Sequence, residues 1–141
     1  MVDTVAPSRF TVLLPDEREG WHETLARLLE PQGVQARLAR SGREVLGLIE
    51  TTDFHAVVLD TQMPQLGGLQ VLKLMNDRLV NRAVPPVILL AHQLSTHLLR
   101  EALSMGVFSV LAKPVDCNML LDALARLLRR YHENRWPGGR G

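Results

Sequence analysis

The chain has 141 residues, enough for one domain with a full core, and its 46% hydrophobic content is that of a globular protein. Sixteen Lys and Arg against fifteen Asp and Glu give no bulk charge to draw it to nucleic acid or a membrane surface, and 4% aromatic residues are too few for stacking platforms on single-stranded nucleic acid. One cysteine excludes an internal disulfide and a cysteine-rich metal site, and no apolar run approaches the ~20 residues that span a bilayer, so a cytoplasmic protein is expected, with no direct contact to membrane or nucleic acid.

Met1 to Ser8 reads as a disordered lead without the apolar core of a secretory signal. A first strand is predicted over Phe10–Leu14, stopped by Pro15, with Asp16 and Glu17 directly behind it. Trp21, Leu25, Leu28 and Leu29 mark one face of a helix closed by Pro31 and Gly33. Val34–Leu38 alternates as a second strand with Val34, Ala36 and Leu38 inward. Ser41, with Glu44 three residues later, is a capping box for a helix that packs Val45, Leu46 and Ile49. Ala56–Leu59 has no polar alternation, which suits a strand covered on both faces, and it ends in a carboxylate, Asp60. Met63-Pro64 and Gly67-Gly68 mark a loop, because proline lacks a backbone donor and glycine tolerates positive φ. Leu69, Leu72, Met75 and Leu79 then share a helix face.

After a turn from Asn81 to Pro85, Val87–Ala91 repeats the buried-strand pattern. Ser95 or Thr96 caps a helix with Leu98, Leu99, Ala102 and Leu103 inward and Gly106 past its end. Val107–Ala112 is the last strand, followed by Lys113-Pro114. Asp116 caps a final helix carrying Met119, Leu120, Ala123, Leu124, Leu127 and Leu128. The expected organisation is a lead over 1–8, a folded unit over 9–131 and a flexible tail over 132–141, which either ends the chain or opens a linker. His22, His55, His97 and His132 lack metal-ligand spacing and read as surface residues. Cys117 reads as a spectator thiol, although a helix N-terminus lowers the pKa of a cysteine beside it.

Five strand–helix units argue for an α/β three-layer sandwich, a parallel sheet with helices on both faces. With right-handed crossovers, the flavodoxin-like (βα)5 fold with strand order 2-1-3-4-5 is expected. That order makes the first and third strands neighbours. Asp16, with Glu17, and Asp60 therefore converge at the carboxyl edge, where open α/β sheets bind ligands. Carboxylates held that close repel unless a cation lies between them, and hard oxygen donors with room for water suit Mg²⁺. Lys113 lies two strands from Asp60, and its stem is long enough to cross the tip of the fourth strand. The only other lysine is Lys73, so a compact ammonium at 113 stands out in a chain that otherwise uses arginine. Together these groups make a phosphoryl-transfer type of site. The Asp60 carboxylate is the attacking group, and the metal and Lys113 neutralise charge on the phosphoryl oxygens.

Asp16-Glu17 after the first strand, Asp60-Thr61-Gln62-Met63-Pro64 with Gly67-Gly68, and Lys113-Pro114 fall in that order on the five-unit pattern. From about Phe10 to Tyr131 the chain thereby resembles the receiver domain of two-component response regulators. The resemblance implies a phospho-accepting Asp60, metal ligands at Asp16, Asp60 and the backbone carbonyl of Gln62, Glu17 as a further candidate, and a phosphate-contacting Lys113. A Lys113-Pro114 bond is often cis in such domains. A phosphohistidine donor on a sensor histidine kinase or phosphotransfer protein is implied too. So is a signalling domain rather than an enzyme, its chemistry limited to its own phosphorylation and dephosphorylation.

Four positions depart from the family's pattern. Pro15 stands where the first of two adjacent acids is usual, so weaker Mg²⁺ binding is expected. Ala91 replaces the Thr or Ser that ends the fourth strand and hydrogen-bonds the phosphoryl group. His92 follows where a small residue is preferred; it either narrows access to Asp60, donates to the phosphate or simply faces solvent. Val110 replaces an aromatic switch residue in the fifth strand. Coupling between site and surface, typically ~1–3 kcal/mol, is therefore expected at its low end or absent. One reading is a receiver that accepts phosphate on Asp60 with Mg²⁺ and signals by protein contacts with weakened switching. The other is a pseudo-receiver that binds a partner, or a second copy of itself, through the face of the fourth helix, fifth strand and fifth helix without phosphate control.

Overall fold

The computed structural model describes residues 9–16, 20–79 and 83–132. Its elements alternate along the chain: β1 (Phe10–Pro15), α1 (Trp21–Leu29) with a short 3-10 turn (Glu30–Gln32), β2 (Val34–Ala39), α2 (Gly42–Thr51), β3 (Ala56–Asp60), α3 (Gly68–Arg78), β4 (Val87–Ala91), α4 (Thr96–Ser104), β5 (Ser109–Ala112) and α5 (Cys117–Tyr131). The strands pair in parallel in the order β2-β1-β3-β4-β5, the flavodoxin-like arrangement.

Alternate residues of the central strands feed two cores. Phe10, Val12 and Leu14, with Ala56, Val58, Ile88 and Leu90, pack against α1 and α5. Leu13, with Val57, Leu59, Val87 and Leu89, packs against α2, α3 and Ala102 of α4. With helices on both sides, every residue of β3 and β4 is buried. That is why these two strands read as unbroken apolar runs rather than alternating ones.

The caps form as the sequence predicts. The Oγ of Ser41 accepts the Glu44 N–H at 3.1 Å, and that of Ser95 accepts the Leu98 N–H at 3.1 Å. Asp116 accepts from Asn118 and Met119. The Glu44 carboxylate reaches back one residue further than a capping box, accepting the Arg40 N–H at 2.6 Å, so residue 40 is pinned at the head of α2.

Several boundaries and faces differ from expectation. Pro15 does not stop β1 but completes it, opposite Ala39 of β2. The β1–β3 ladder ends at Leu13 and Val57, so the missing proline N–H falls where no rung is formed. β5 begins at Ser109 rather than Val107, because the Val107 N–H turns back to the Ala102 carbonyl to close α4, with Gly106 at φ 83°. Leu28, Leu103 and Met119 are exposed rather than inward. Each is next in sequence to a buried residue, and the ~100° step of a helix turns it out of the core. Leu38 is exposed as well, because β2 has a strand on one side only and Ala39 takes the buried place.

Candidate functional site

β3 delivers Asp60 to the carboxyl edge with its side chain almost wholly buried. One carboxylate oxygen, Oδ1, accepts the Gln62 N–H at 2.8 Å, and the other, Oδ2, accepts from Lys113 Nζ at 2.5 Å. The lysine is equally enclosed, so this is a buried charge pair at the mouth of the sheet rather than a surface contact. Lys113 follows β5, its own N–H donates to the Ala91 carbonyl at 2.9 Å, and the Lys113-Pro114 peptide is cis.

The loop behind Asp60 is shaped by close approach more than by unusual dihedrals. A Cβ on Gly68 would meet the Asp60 carbonyl oxygen at 2.7 Å, and one on Gly67 would meet that of Thr61 at 2.6 Å. Glycine is required there because the start of α3 lies directly on the backbone of the site. The positive φ expected of these glycines falls instead on Gln65, at 70°.

β1 delivers Asp16, whose N–H donates to the Ala39 carbonyl at 2.8 Å. The Asp16 carboxylate is partly exposed, with His22 Nε2 at 3.4 Å from Oδ1 and Arg40 Nε at 3.8 Å from Oδ2. Asp16, Asp60, Lys113, Gln62, His92 and Arg40 line one cleft of about 370 Å³. The structure thus brings together the two acids and the lysine that the sequence places far apart. Glu17 lies outside the described residues. Among the described residues no set of three or more His, Cys, Asp or Glu side chains gathers to hold a metal. The cleft offers two carboxylates and open space. That donor set fits Mg²⁺, which is bound through one or two carboxylates and keeps several waters.

Ala91 is buried at the end of β4, and its methyl offers no donor to the cleft. Val110 pairs with Leu89 and packs, half-buried, on the α2–α3–α4 side of the sheet. His92 is exposed and lines the cleft rim.

Three histidines read as surface residues are not. His22 is buried. Its spacing of three to Leu25 and seven to Leu29 places it on the inner face of α1, a signal present in the sequence, but its partner Asp16 was not legible. His55 and His132 pack against Phe10 at the opposite edge of the sheet. His55 Nδ1 accepts the Thr11 N–H at 3.0 Å, and His132 Nε2 lies 3.0 Å from the His55 carbonyl. His97 is exposed, as expected. At Cys117, partial burial and then the neighbouring Asp116 carboxylate push the thiol up, against the lowering that a helix N-terminus alone would give.

A family model described as "Response regulator receiver domain" matches residues 12–125. Response regulator MprA of Mycolicibacterium vanbaalenii is 35% identical over 122 residues, covering 84% of this chain and 50% of that protein. Response regulator RR06 of Streptococcus pneumoniae is 30% identical over 132 residues, covering 89% of this chain and 57% of that protein. The sensory/regulatory protein RpfC of Xanthomonas campestris is 32% identical over 117 residues, which span only 16% of its length. The chain therefore spans about half of two of these curated relatives and far less of the third. Among solved structures, the receiver domain of the Francisella response regulator 1452 superposes with a TM-score of 0.75 at 30% identity, covering 86% of this chain and 98% of that one. No described helix is long and apolar enough to cross a membrane.

Proposed function

The chain belongs to the response regulator receiver family of two-component signal transduction, and from that premise we propose that it accepts a phosphoryl group on Asp60. The observation that carries the reading is the buried Asp60–Lys113 pair opening onto a cleft shared with Asp16. The donor is a phosphohistidine on a sensor histidine kinase or phosphotransfer protein. An Asp60 oxygen attacks phosphorus, the P–N bond breaks, and the imidazole leaves with the electron pair. The Gln62 N–H and the Lys113 ammonium hold the carboxylate in position before the step. As Asp60 loses its negative charge to the acyl phosphate, the ammonium follows the charge onto the phosphoryl oxygens.

Asp16, Asp60 and the Gln62 carbonyl would hold Mg²⁺, with Glu17 as a further candidate, and the ion when bound supplies added neutralisation of the phosphoryl oxygens. With Pro15 in place of an outer acid, its affinity is lower than in a two-acid site. Residues 9–131 form the receiver unit. Its chemistry is self-modification rather than turnover. Output passes through the face of α4, β5 and α5 to a downstream protein or a second copy, and Ala91 and Val110 make that output weakly responsive to phosphate. The test is incubation with a small acyl phosphate, with and without Mg²⁺, read by intact mass. One phosphoryl adduct in the parent, absent from Asp60→Asn, is the expected result; an unlabelled parent under conditions that label an ordinary receiver overturns the reading.

A further inference from the structure

The last rung of the β1–β2 ladder joins Pro15 to Ala39, and the Asp16 N–H then donates to the Ala39 carbonyl. The next residue on each strand is therefore brought alongside its neighbour: Asp16 beside Arg40. The guanidinium stands 3.8 Å from Asp16 Oδ2, while the imidazole of His22 stands 3.4 Å from Oδ1. The two contacts differ in kind. The Arg40 side chain is 86% exposed and moves at little cost, whereas His22 is at 8% and is fixed in the first turn of α1.

We infer that Arg40 is a built-in competitor for the metal ligand Asp16, displaced when a divalent cation enters, and that His22 is the positioning residue that keeps this carboxylate turned to the cleft. The inference rests on the metal reading of the site given above. His22 holds the Oδ1 side of the carboxylate through Nε2, leaving Oδ2 as the oxygen for which Arg40 and the cation compete. In a site that has Pro15 where a second acid is usual, Asp16 is the one acid the described end of β1 supplies, so a cation of its own chain placed on that carboxylate opposes binding directly. Arg40 keeps its backbone place whatever its side chain, because the N–H held by Glu44 survives substitution.

The test is titration of the full chain with MgCl₂ alone, by calorimetry and by Trp21 fluorescence in a Trp136→Phe background. Trp21 lies beside His22, with ring centroids 6.3 Å apart. Arg40→Ala and Arg40→Gln should bind Mg²⁺ about threefold to tenfold more tightly than the parent, as expected for removing a unit charge a few ångströms from a divalent ion at a wet surface. Arg40→Lys, which keeps the charge, should stay within about twofold, and the gain should fade at 1 M NaCl, where screening acts over about 3 Å. A role of Arg40 in folding alone would show neither pattern. His22→Gln, which keeps a donor, should stay near the parent, and His22→Leu should lose about tenfold in affinity, as for other groups that orient a metal ligand. Circular dichroism checks that each variant folds; should His22→Leu not fold, the Gln variant and the arginine series still decide. Binding by Arg40→Ala no tighter than by the parent overturns the competitor role while leaving the metal reading intact. A parent and variants that all ignore Mg²⁺ overturn both, and a parent too weak to measure beside a binding Arg40→Ala supports the inference.

Discussion

Removing the lysine from the Asp60–Lys113 pair should unbalance the fold as well as the chemistry. Both side chains are nearly closed off from solvent, at 4% and 6% exposure, and their charged atoms meet at 2.5 Å. Lys113→Met keeps the volume of the stem and deletes the ammonium, so a carboxylate is left buried without its counter-charge. Breaking such a pair from one side costs about 3–5 kcal/mol. Asp60 still accepts the Gln62 N–H and borders an open cleft, which places the expected loss near the lower figure, about 3 kcal/mol. With urea slopes of about 1–3 kcal/mol per molar, the unfolding midpoint should fall by about 1–3 M. Asp60→Asn in the Lys113→Met background removes the stranded charge and keeps an acceptor for Gln62, so most of the loss should return. Asp60→Asn alone should cost less than Lys113→Met, because a lysine stem can carry its ammonium out through the cleft. The assay is urea unfolding by circular dichroism in EDTA. A Lys113→Met midpoint within about 0.3 M of the parent, or a double variant no more stable than the single, would refute the claim that an uncompensated charge is what the pair prevents.

Two glycines of α2 should respond in opposite directions. At Gly42 a Cβ would stand 2.2 Å from the Leu66 carbonyl oxygen, so Gly42→Ala must push the loop behind Asp60 outward, at about 1–3 kcal/mol. At Gly47 nothing lies within 4 Å, and Gly47→Ala should stabilise by about 0.5–1 kcal/mol; urea midpoints check both signs. For Cys117 the shift has a definite direction: burial first and then Asp116 raise the thiol pKa, so less thiolate is present at any given pH. The inflection of alkylation rate against pH should lie above that of free cysteine. Asp116→Asn should lower it while still capping α5, and an inflection below the free thiol's would contradict the assignment.

The sheet was legible from the sequence because its three inner strands behave simply. Covered on both faces, β4 and all of β3 before its last residue, Asp60, are apolar, and the convergence of the acids and lysine at the strand ends followed from strand order. What was not legible depended on register or on single turns of helix. Leu28, Leu103 and Met119 belong to apolar stripes one residue wider than the space available. Arg40 reaches Asp16 only because Pro15 pairs with Ala39, a rung that periodicity cannot fix. The Gly67-Gly68 pair was recognised as a loop signal for a reason that does not apply: the constraint is contact with the Asp60 and Thr61 carbonyls, while Gln65 carries the positive φ.

The charges of the cleft are not independent of one another. Pro15 supplies no acid, and Arg40 places a cation beside Asp16, so Asp16 and Asp60 face Arg40 and Lys113, two charges of each sign among the described ionic residues of the cleft. Such a site attracts a divalent ion less than an acidic one does, but it also repels an incoming phosphoryl group less. Both effects come from the same local charge and act in opposite directions on the proposed transfer to Asp60. If Asp60 accepts phosphate as proposed, its phosphorylation rate should fall less, relative to a two-acid site, than Mg²⁺ affinity does. On that account the proposed acceptor chemistry is compatible with Ala91 and Val110, whose side chains offer no group to hydrogen-bond a phosphoryl oxygen.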